Sequence, residues 1–256
     1  MLYSGLNTGS YRIELSDDGN NFSDAGSFEQ NYVALFKWND FELDALQVPN
    51  ARYIRLTASG DVRLGEFAVR CGGKLFGQCS DAPELFDEQS TVPEYQSYLN
   101  STYFDEIYHA RTAYENIEGV YPYEISHPPL GKLIIAIGIE LFGMTPFGWR
   151  FSGVLFGVAM LPVLYALLKR MFGSTDICAC ATAIFAFDFM HFSQTRLATI
   201  DTYAVFFILL MYLFMYMYIT GGRKRDLALS GLFFGIGAAC KWTCFCLLYT
   251  SDAADD

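Results

Sequence analysis

Two spacings of apolar residues divide the chain. From Tyr11 to Leu15 apolar and polar positions alternate, with Tyr11, Ile13 and Leu15 on one face and Arg12 and Glu14 on the other. That is the period of a half-buried strand. Ser16-Asp17-Asp18-Gly19-Asn20 follows as a turn, so the segment predicts a hairpin. Residues 51–57 (ARYIRLT) and 62–69 (VRLGEFAV) read as further short strands, and periodicity alone fits a generic β-sandwich. Beyond residue 147 the pattern turns into long apolar runs. Gly148–Leu168 and Thr202–Thr220 are each about 20 residues, enough to cross roughly 30 Å of hydrocarbon. Ile177–Phe192 is a shorter run with Asp188 and His191 near its far end. Leu227–Phe245 is a fourth, where Gly231, Gly235, Gly237, Ala238 and Ala239 allow close helix approach in lipid. The expected organisation is a β-rich part over 1–72, a linker over 73–100, an outer loop with juxtamembrane helices over 101–147, and membrane helices over 148–245 (about 148–168, 177–192, 202–220 and 227–245).

Charge sharpens this division. The chain has 256 residues and a net charge of −11, yet residues 1–127 hold 20 acids against 8 bases and residues 128–256 hold 8 against 9. A soluble acidic module is thus joined to a membrane-embedded one. A purely soluble enzyme and an intrinsically disordered chain are excluded, and a nucleic-acid binder, which needs basic patches, is not expected. Lys169-Arg170 ends the first span and Arg223-Lys224-Arg225 follows the third. Two crossings separate the clusters, so they share a side, which the positive-inside rule makes cytoplasmic. The acidic half, the 192–201 connection and the start of the first span then face outward. Such a half needs export, and Met1 opens no cleavable signal peptide, so an upstream span is expected outside this sequence. The stretch CFCLLYTSDAADD breaks off a helix in mid-span, and residues 246–256 are read as a non-native tail.

Cysteines add little chemistry. Cys71 and Cys79 bracket CGGKLFGQC on the outer face, where a disulfide would persist; a bridge and two free thiols are equal alternatives. Cys178, Cys180, Cys240 and Cys244 lie in the runs without His partners at zinc spacing, so small apolar packing is expected and no metal ligand set is assigned.

The chemistry concentrates in STYFDEIYHARTAYENIEGVYPYEISHPPLGK, residues 101–132. Asp105 and Glu106 are adjacent carboxylates among Tyr103, Phe104 and Tyr108. Neighbours diverge by about 100° on a helix, so the two cannot do the same job. One serves as a base while the other orients a substrate or holds the local structure. Nearby apolar rings and a second acid push a carboxylate pKa upward, which suits a general base. A solvated acidic helix start has the same appearance. His127-Pro128-Pro129 is an extended stop followed by a helix start. Lys132 is then either a cation at the outer headgroups or a snorkelling anchor. Arg150, Arg196 and Asp201 fall on the Asp105 side of the topology. Ionisable residues at span ends are functional candidates. Outward cations suit a lipid-linked phosphate, while Arg196–Asp201 reads equally as a structural ion pair.

Two resemblances follow. YRIELSDDGNNF, ARYIRLTASG and LGEFAVR, in that order, resemble the later part of a discoidin, or coagulation-factor-type C, carbohydrate-binding domain over residues 8–72. The run YFDEIYHARTAYE, HPPLGK, FGWRFSGVLFG, FDFMHFSQTRLATIDTY and GAACKWT resembles the protein O-mannosyltransferases, the dolichyl-phosphate-mannose–protein mannosyltransferase family of GT-C glycosyltransferases, over residues 101–245. The resemblance implies a fragment of a multi-pass α-helical membrane protein of the GT-C fold, of bacterial type, with a partial discoidin-like β-sandwich before its first outer loop. It implies an enzyme that moves mannose from a polyprenyl (dolichyl-type) phosphate to Ser or Thr hydroxyls of exported proteins with inversion. Asp105 resembles the family's catalytic acid and Glu106 its partner; Arg150 aligns with an arginine needed in the second span, His127 falls in the His-Pro-Pro element after the loop and Asp201 in the outer Arg-to-Asp stretch. With Lys132 and Arg196 as further cations for the leaving phosphate, His127, Lys132, Arg150, Arg196 and Asp201 are the expected substrate-binding residues. No cofactor is certain, and a divalent metal is known in some GT-C enzymes. The implied partners are the lipid-linked donor, a Ser/Thr-containing acceptor protein, the bilayer, and a second subunit in a homo- or hetero-dimer. The implied place is a bacterial plasma membrane with the site outside, or the endoplasmic reticulum in a eukaryote, where the sequons at Asn21 and Asn100 would matter. The chain departs from the family pattern by lacking the first span, lacking spans after Lys241, and carrying a β-rich module before the loop. A GT-C transferase for another lipid-linked sugar or a cell-wall or lipid acceptor is the first alternative. A non-catalytic, membrane-anchored carbohydrate-binding protein is the second.

Overall fold

The structure, a computed structural model, describes residues 1–43, 48–76 and 82–246, and the chain divides into two compact units, Met1–Thr102 and Tyr103–Asp256. The first is built from antiparallel strands. β1 (Leu2–Ser4) lies between β4 (Trp38–Asn39) and β6 (Leu64–Phe67), and β2 (Gly9–Ser16) lies between β3 (Ser23–Gln30) and β5 (Tyr53–Ser59). A separate hairpin pairs β7 (Val69–Cys71) with β8 (Lys74–Phe76). The hairpin expected after Tyr11 forms as β2 and β3, with Tyr11 opposite Phe28. Its turn is organised by Asp18, whose carboxylate accepts from the backbone N–H groups of Asn21 and Asn20, the Asn21 amide and the Ser16 hydroxyl. Those donors hold the Asp18 carboxyl well below the usual range. Alternation does its work here: Tyr11, Ile13 and Leu15 are buried and Arg12 is exposed. Leu2 and Phe67 from one sheet and Tyr11 from the other meet in a common core that Phe28, Leu56 and Leu64 complete.

The stretch expected as a linker is strapped to these sheets. Leu85 and Phe86 pack on the core. The Gln89 amide donates to Glu66 Oε1 at 2.6 Å and the Phe67 carbonyl at 2.8 Å, and Arg70 donates to the carbonyls of Pro93 and Glu94. Cys71 is exposed; Cys79, and with it the Cys71–Cys79 alternative, lies outside the described residues, as does the tail from residue 247.

The second unit is helical: α1 (Glu106–Ile117), α2 (Leu130–Phe142), α3 (Pro146–Phe172), α4 (Thr175–Ala186), α5 (Phe189–Gln194), α6 (Asp201–Gly221) and α7 (Lys224–Cys240). α3 starts at Thr145, whose hydroxyl accepts from Gly148 N–H, with Pro146 in the first turn, and it ends at Gly173 with φ 72°. α3 and α6 are long and apolar enough to cross a membrane, and only 22% of the most apolar stretch of each is buried. Their apolar surface therefore faces outward, where lipid or further helices must cover it. The chain is a membrane protein.

The expected span over 177–192 is not continuous. Its helix stops at Ala186 and restarts as α5, because the Asp188 carboxylate accepts from the N–H groups of Met190 and His191 at 2.9 and 3.1 Å. A short acidic side chain is worth more at a helix start than inside a helix. The 12 residues of α4 reach only about 18 Å. The fourth expected span is likewise shorter: α7 ends at Cys240, and Lys241 is extended.

Small residues set the packing. Gly237 lets α7 approach Phe207 and the Ala204 carbonyl on α6, whereas Gly231 and Gly235 face open space. α2 meets α3 so closely that a Cβ on Gly138 would stand 2.4 Å from the Gly148 carbonyl oxygen. Alanine favours a helix over glycine by about 1 kcal/mol, but forced overpacking costs about 1–3 kcal/mol. Gly138→Ala should therefore lower the thermal midpoint of the purified protein, while Gly231→Ala leaves it level or higher. Equal midpoints for the two variants would show that the α2–α3 contact is looser than described.

α3 and α6 begin at one end of the unit, where the Ser152 and Tyr203 hydroxyls meet at 2.7 Å. α7 returns to that end, since Lys241 reaches Asp201. The Lys169-Arg170 and Arg223–Arg225 clusters sit about 30–40 Å away, at the far ends of helices of 27 and 21 residues.

Candidate functional site

At that shared end two polar clusters form. The first is centred on Glu106, in the opening turn of α1 and fully buried. Its carboxylate accepts from Arg150 Nε at 2.7 Å and Nη2 at 2.6 Å, from Tyr103 N–H at 2.7 Å and from Ala198 N–H at 2.9 Å. A bidentate guanidinium and two backbone amides saturate it. Glu106 thus ties α1 to α3 and to the segment before α6, and Arg150 is engaged by it rather than turned to solvent.

Asp105, one residue earlier, is in the opposite situation. It is half-buried, and its carboxylate does not cap its own helix. Phe104, directly before it, has φ 51° and is 76% exposed. A bulky residue at positive φ is costly, and such strain collects at working sites. Directly after it Glu106 is fully buried while Asp105 is only half-buried.

The second cluster is the 124–127 turn. The Lys132 ammonium, 2% exposed on α2, donates to the Glu124 carboxylate at 2.5 Å, the Glu124 carbonyl at 2.7 Å and the His127 carbonyl at 3.1 Å. All three of its protons are used, so it neither snorkels nor offers a free cation to a phosphate. Glu124 also accepts from the N–H groups of Ser126 and His127 and lies 3.2 Å from His127 Nδ1. Burial would raise the Glu124 carboxyl, but the donors Lys132, Ser126 and His127 prevail and hold it down to about 2. The His109 ring stands edge-on to His127, 6.1 Å between centres.

Asp201 pairs with Lys241 at 2.6 Å. Among the described residues Arg196 makes no ion pair; its guanidinium lies exposed over the Phe192 ring at 4.7 Å. The Arg196–Asp201 pair weighed from sequence is therefore not formed, because Lys241 takes the carboxylate. Trp242, one residue on, donates its indole N–H to the Ser126 carbonyl at 3.0 Å. Among the described residues no group of three or more His, Cys, Asp or Glu is placed to hold a metal ion.

The structure thus brings Glu106 to Arg150 and Lys132 to His127 through Glu124, and leaves Asp105 and Arg196 outside both clusters. Glu124, His109, Lys241 and Trp242 were missed by sequence reasoning. Glu124 carried a signal, being an acid three residues before a His that precedes two prolines. The side-chain partners of Lys241 and Trp242, Asp201 and Ser126, are 40 and 116 residues distant and gave none.

The buried His109 makes the second unit sensitive to acid. Its Nδ1 has no hydrogen-bond partner among the described residues. Burial takes its pKa from 6.5 down to about 4, with the Glu124 charge opposing. Between those values the unfolded chain binds the proton and the folded one does not, so stability is lost as pH falls from 6.5 towards 4. Glu124 adds a second loss from its ordinary 4.5 down towards 2. Chemical unfolding of the purified protein between pH 7 and 4 should show this slope, and His109→Gln should flatten it. An unchanged slope would place the acid sensitivity elsewhere.

Comparison with known proteins adds a family. Residues 126–251 match the family model described as dolichyl-phosphate-mannose-protein mannosyltransferase. A polyprenol-phosphate-mannose–protein mannosyltransferase of Mycobacterium tuberculosis is 32% identical over 168 residues, 65% of this chain and 29% of that protein. The protein of the same name in Mycolicibacterium smegmatis is 39% identical over 83 residues, 32% of this chain and 16% of its own length. An uncharacterised protein of Aquifex aeolicus is 30% identical over 102 residues, 40% of this chain and 20% of its own. The chain thus spans under a third of the length of these relatives. No solved structure matches it significantly.

Proposed function

We propose that the chain, whose residues 126–251 match the dolichyl-phosphate-mannose-protein mannosyltransferase family, carries the outer loop and early membrane helices of an enzyme that transfers mannose from a polyprenyl phosphate to Ser or Thr hydroxyls of exported proteins. One observation supports this most: two adjacent acids with divided duties. Glu106 is saturated by Arg150 and two backbone amides, while Asp105 is half-buried, not used as a cap and set behind a strained, exposed phenylalanine.

In this reading Asp105 takes the proton from the acceptor hydroxyl. The hydroxyl oxygen forms a bond to the anomeric carbon from the face opposite the phosphate. The bond from that carbon to the phosphate oxygen breaks, its electron pair leaves with the polyprenyl phosphate, and the configuration inverts. Glu106 and Arg150 hold the loop and the first turn of α3 in place for Asp105. Arg196, exposed and stacked on Phe192, is the guanidinium assigned to the leaving phosphate, whose charge grows as the bond breaks. The basic clusters at the far helix ends support a GT-C topology with the site outside a bacterial plasma membrane. Residues 8–72 are read as a partial discoidin-like, glycan-binding module.

The test is a transfer assay on the full-length protein in membranes, with radiolabelled polyprenyl-phosphate-mannose and a Ser/Thr-rich peptide. Label in the peptide supports the reading. Donor consumed without label in the peptide points to another acceptor, and an intact donor overturns the proposal.

A further inference from the structure

The 124–127 turn fixes where the His127 proton sits. The Ser126 hydroxyl has a single proton and contacts Glu124 Oε1, a carboxylate oxygen that can only accept it. The same hydroxyl oxygen lies 2.9 Å from His127 Nδ1. A hydroxyl already donating to a carboxylate can only accept from the ring, so Nδ1 carries the ring proton. Glu124 Oε1, 3.2 Å from Nδ1, is a second acceptor for it. In the neutral ring the lone pair is then on Nε2, which has no protein partner among the described residues. The side chain is 33% exposed. Glu124 cannot turn away, because Lys132 and the N–H groups of Ser126 and His127 all hold it. The edge-on His109 ring braces the imidazole from the side.

We infer that Glu124 is a positioning residue which, with the Ser126 hydroxyl, locks His127 in the Nδ1–H tautomer and presents Nε2 as a hydrogen-bond acceptor for a substrate hydroxyl. The inference rests on the mannosyl-transfer reading for its substrate. Hydroxyls come from two sources there, the mannose ring of the donor and the Ser or Thr of the acceptor. A contact to the sugar raises the KM for the donor when it is lost; a contact to the acceptor raises the KM for the peptide.

The test uses the full-length protein in detergent. His127→Asn keeps a group near Nδ1 and removes Nε2, and should raise one of the two KM values about tenfold, the size of one lost hydrogen bond. Glu124→Gln has one acceptor oxygen for Lys132 and the donors of the turn together, so it loosens the hold on Nδ1–H and should raise the same KM. The double variant should be no worse than His127→Asn alone, since Glu124 acts through His127. Losses that multiply in the double variant, or a Glu124→Gln effect on folding alone, overturn the inference. A second readout needs no turnover: the nitrogen spectrum of ¹⁵N-histidine-labelled protein, with the His127 signals assigned by their loss in His127→Asn. A protonated Nδ1 and a bare Nε2 are expected, and a protonated Nε2 in the neutral ring overturns the assignment. A wild type that transfers no mannose sinks the functional reading, while the tautomer stands or falls on the spectrum.

Discussion

Asp105→Asn in the full-length enzyme is expected to lose about 10²- to 10⁴-fold in turnover, the usual contribution of a general base, while accumulating to the wild-type level. Asparagine serves as well as aspartate at a helix start, and the Asp105 carboxylate is not used as a cap, so the fold has little reason to notice the change. The KM for the lipid-linked donor should stay within a few-fold, because the carboxylate is assigned to the acceptor's proton and not to the donor. Turnover of the Asn variant near that of the wild type would remove Asp105 from the mechanism. A variant that fails to accumulate would show instead that Asp105 has a structural duty.

Glu106→Gln should behave differently, losing stability first and activity as a consequence. All four groups around the Glu106 carboxylate are donors. An amide nitrogen placed among them finds no acceptor, and the Arg150 guanidinium is left poorly exposed and without its counter-charge. Removing one partner of a buried ion pair costs about 3–5 kcal/mol. The expected result is a clear fall in thermal midpoint, with a similar fall in Arg150→Met. The double variant Glu106→Gln/Arg150→Met should lose less than the sum of the two. Additive losses would mean that the two side chains stabilise the protein independently. A Glu106→Gln variant that is fully stable but inactive would return Glu106 to direct work on substrate.

These contrasts bear on what the chain's residues alone reveal. The β2–β3 hairpin is legible because its information is local: a period of two, then a turn whose Asp18 finds its donors within three residues. α3 and α6 are legible because length and hydropathy suffice for them. The split of the 177–192 run is not, since hydropathy counts Asp188 as one polar residue in an apolar stretch and says nothing of its capping geometry. In the candidate site, the proximity of Asp105 and Glu106 is trivially legible, but their division of labour depends on Arg150 and Ala198, 44 and 92 positions away. Asp201 was weighed against Arg196, five residues back, whereas its partner Lys241 stands 40 positions on. Lys132 was read as interfacial because a lysine beside an apolar run commonly is; that it lies inside a turn built by Glu124 is visible only in three dimensions.

The Glu106 contacts also set an order of events at the ribosome. Its carboxylate is synthesised 44 residues before the arginine that neutralises it and 92 before the Ala198 amide that completes its shell. Until α3, α4 and α5 have been made, the acid lacks the Ala198 amide and α1 lacks the full set of donors that hold its first turn. The segment before α1 therefore settles only once residue 198 has been made, although it is synthesised ahead of every helix that anchors it, and a nascent chain arrested earlier carries Asp105 beside an incompletely held Glu106.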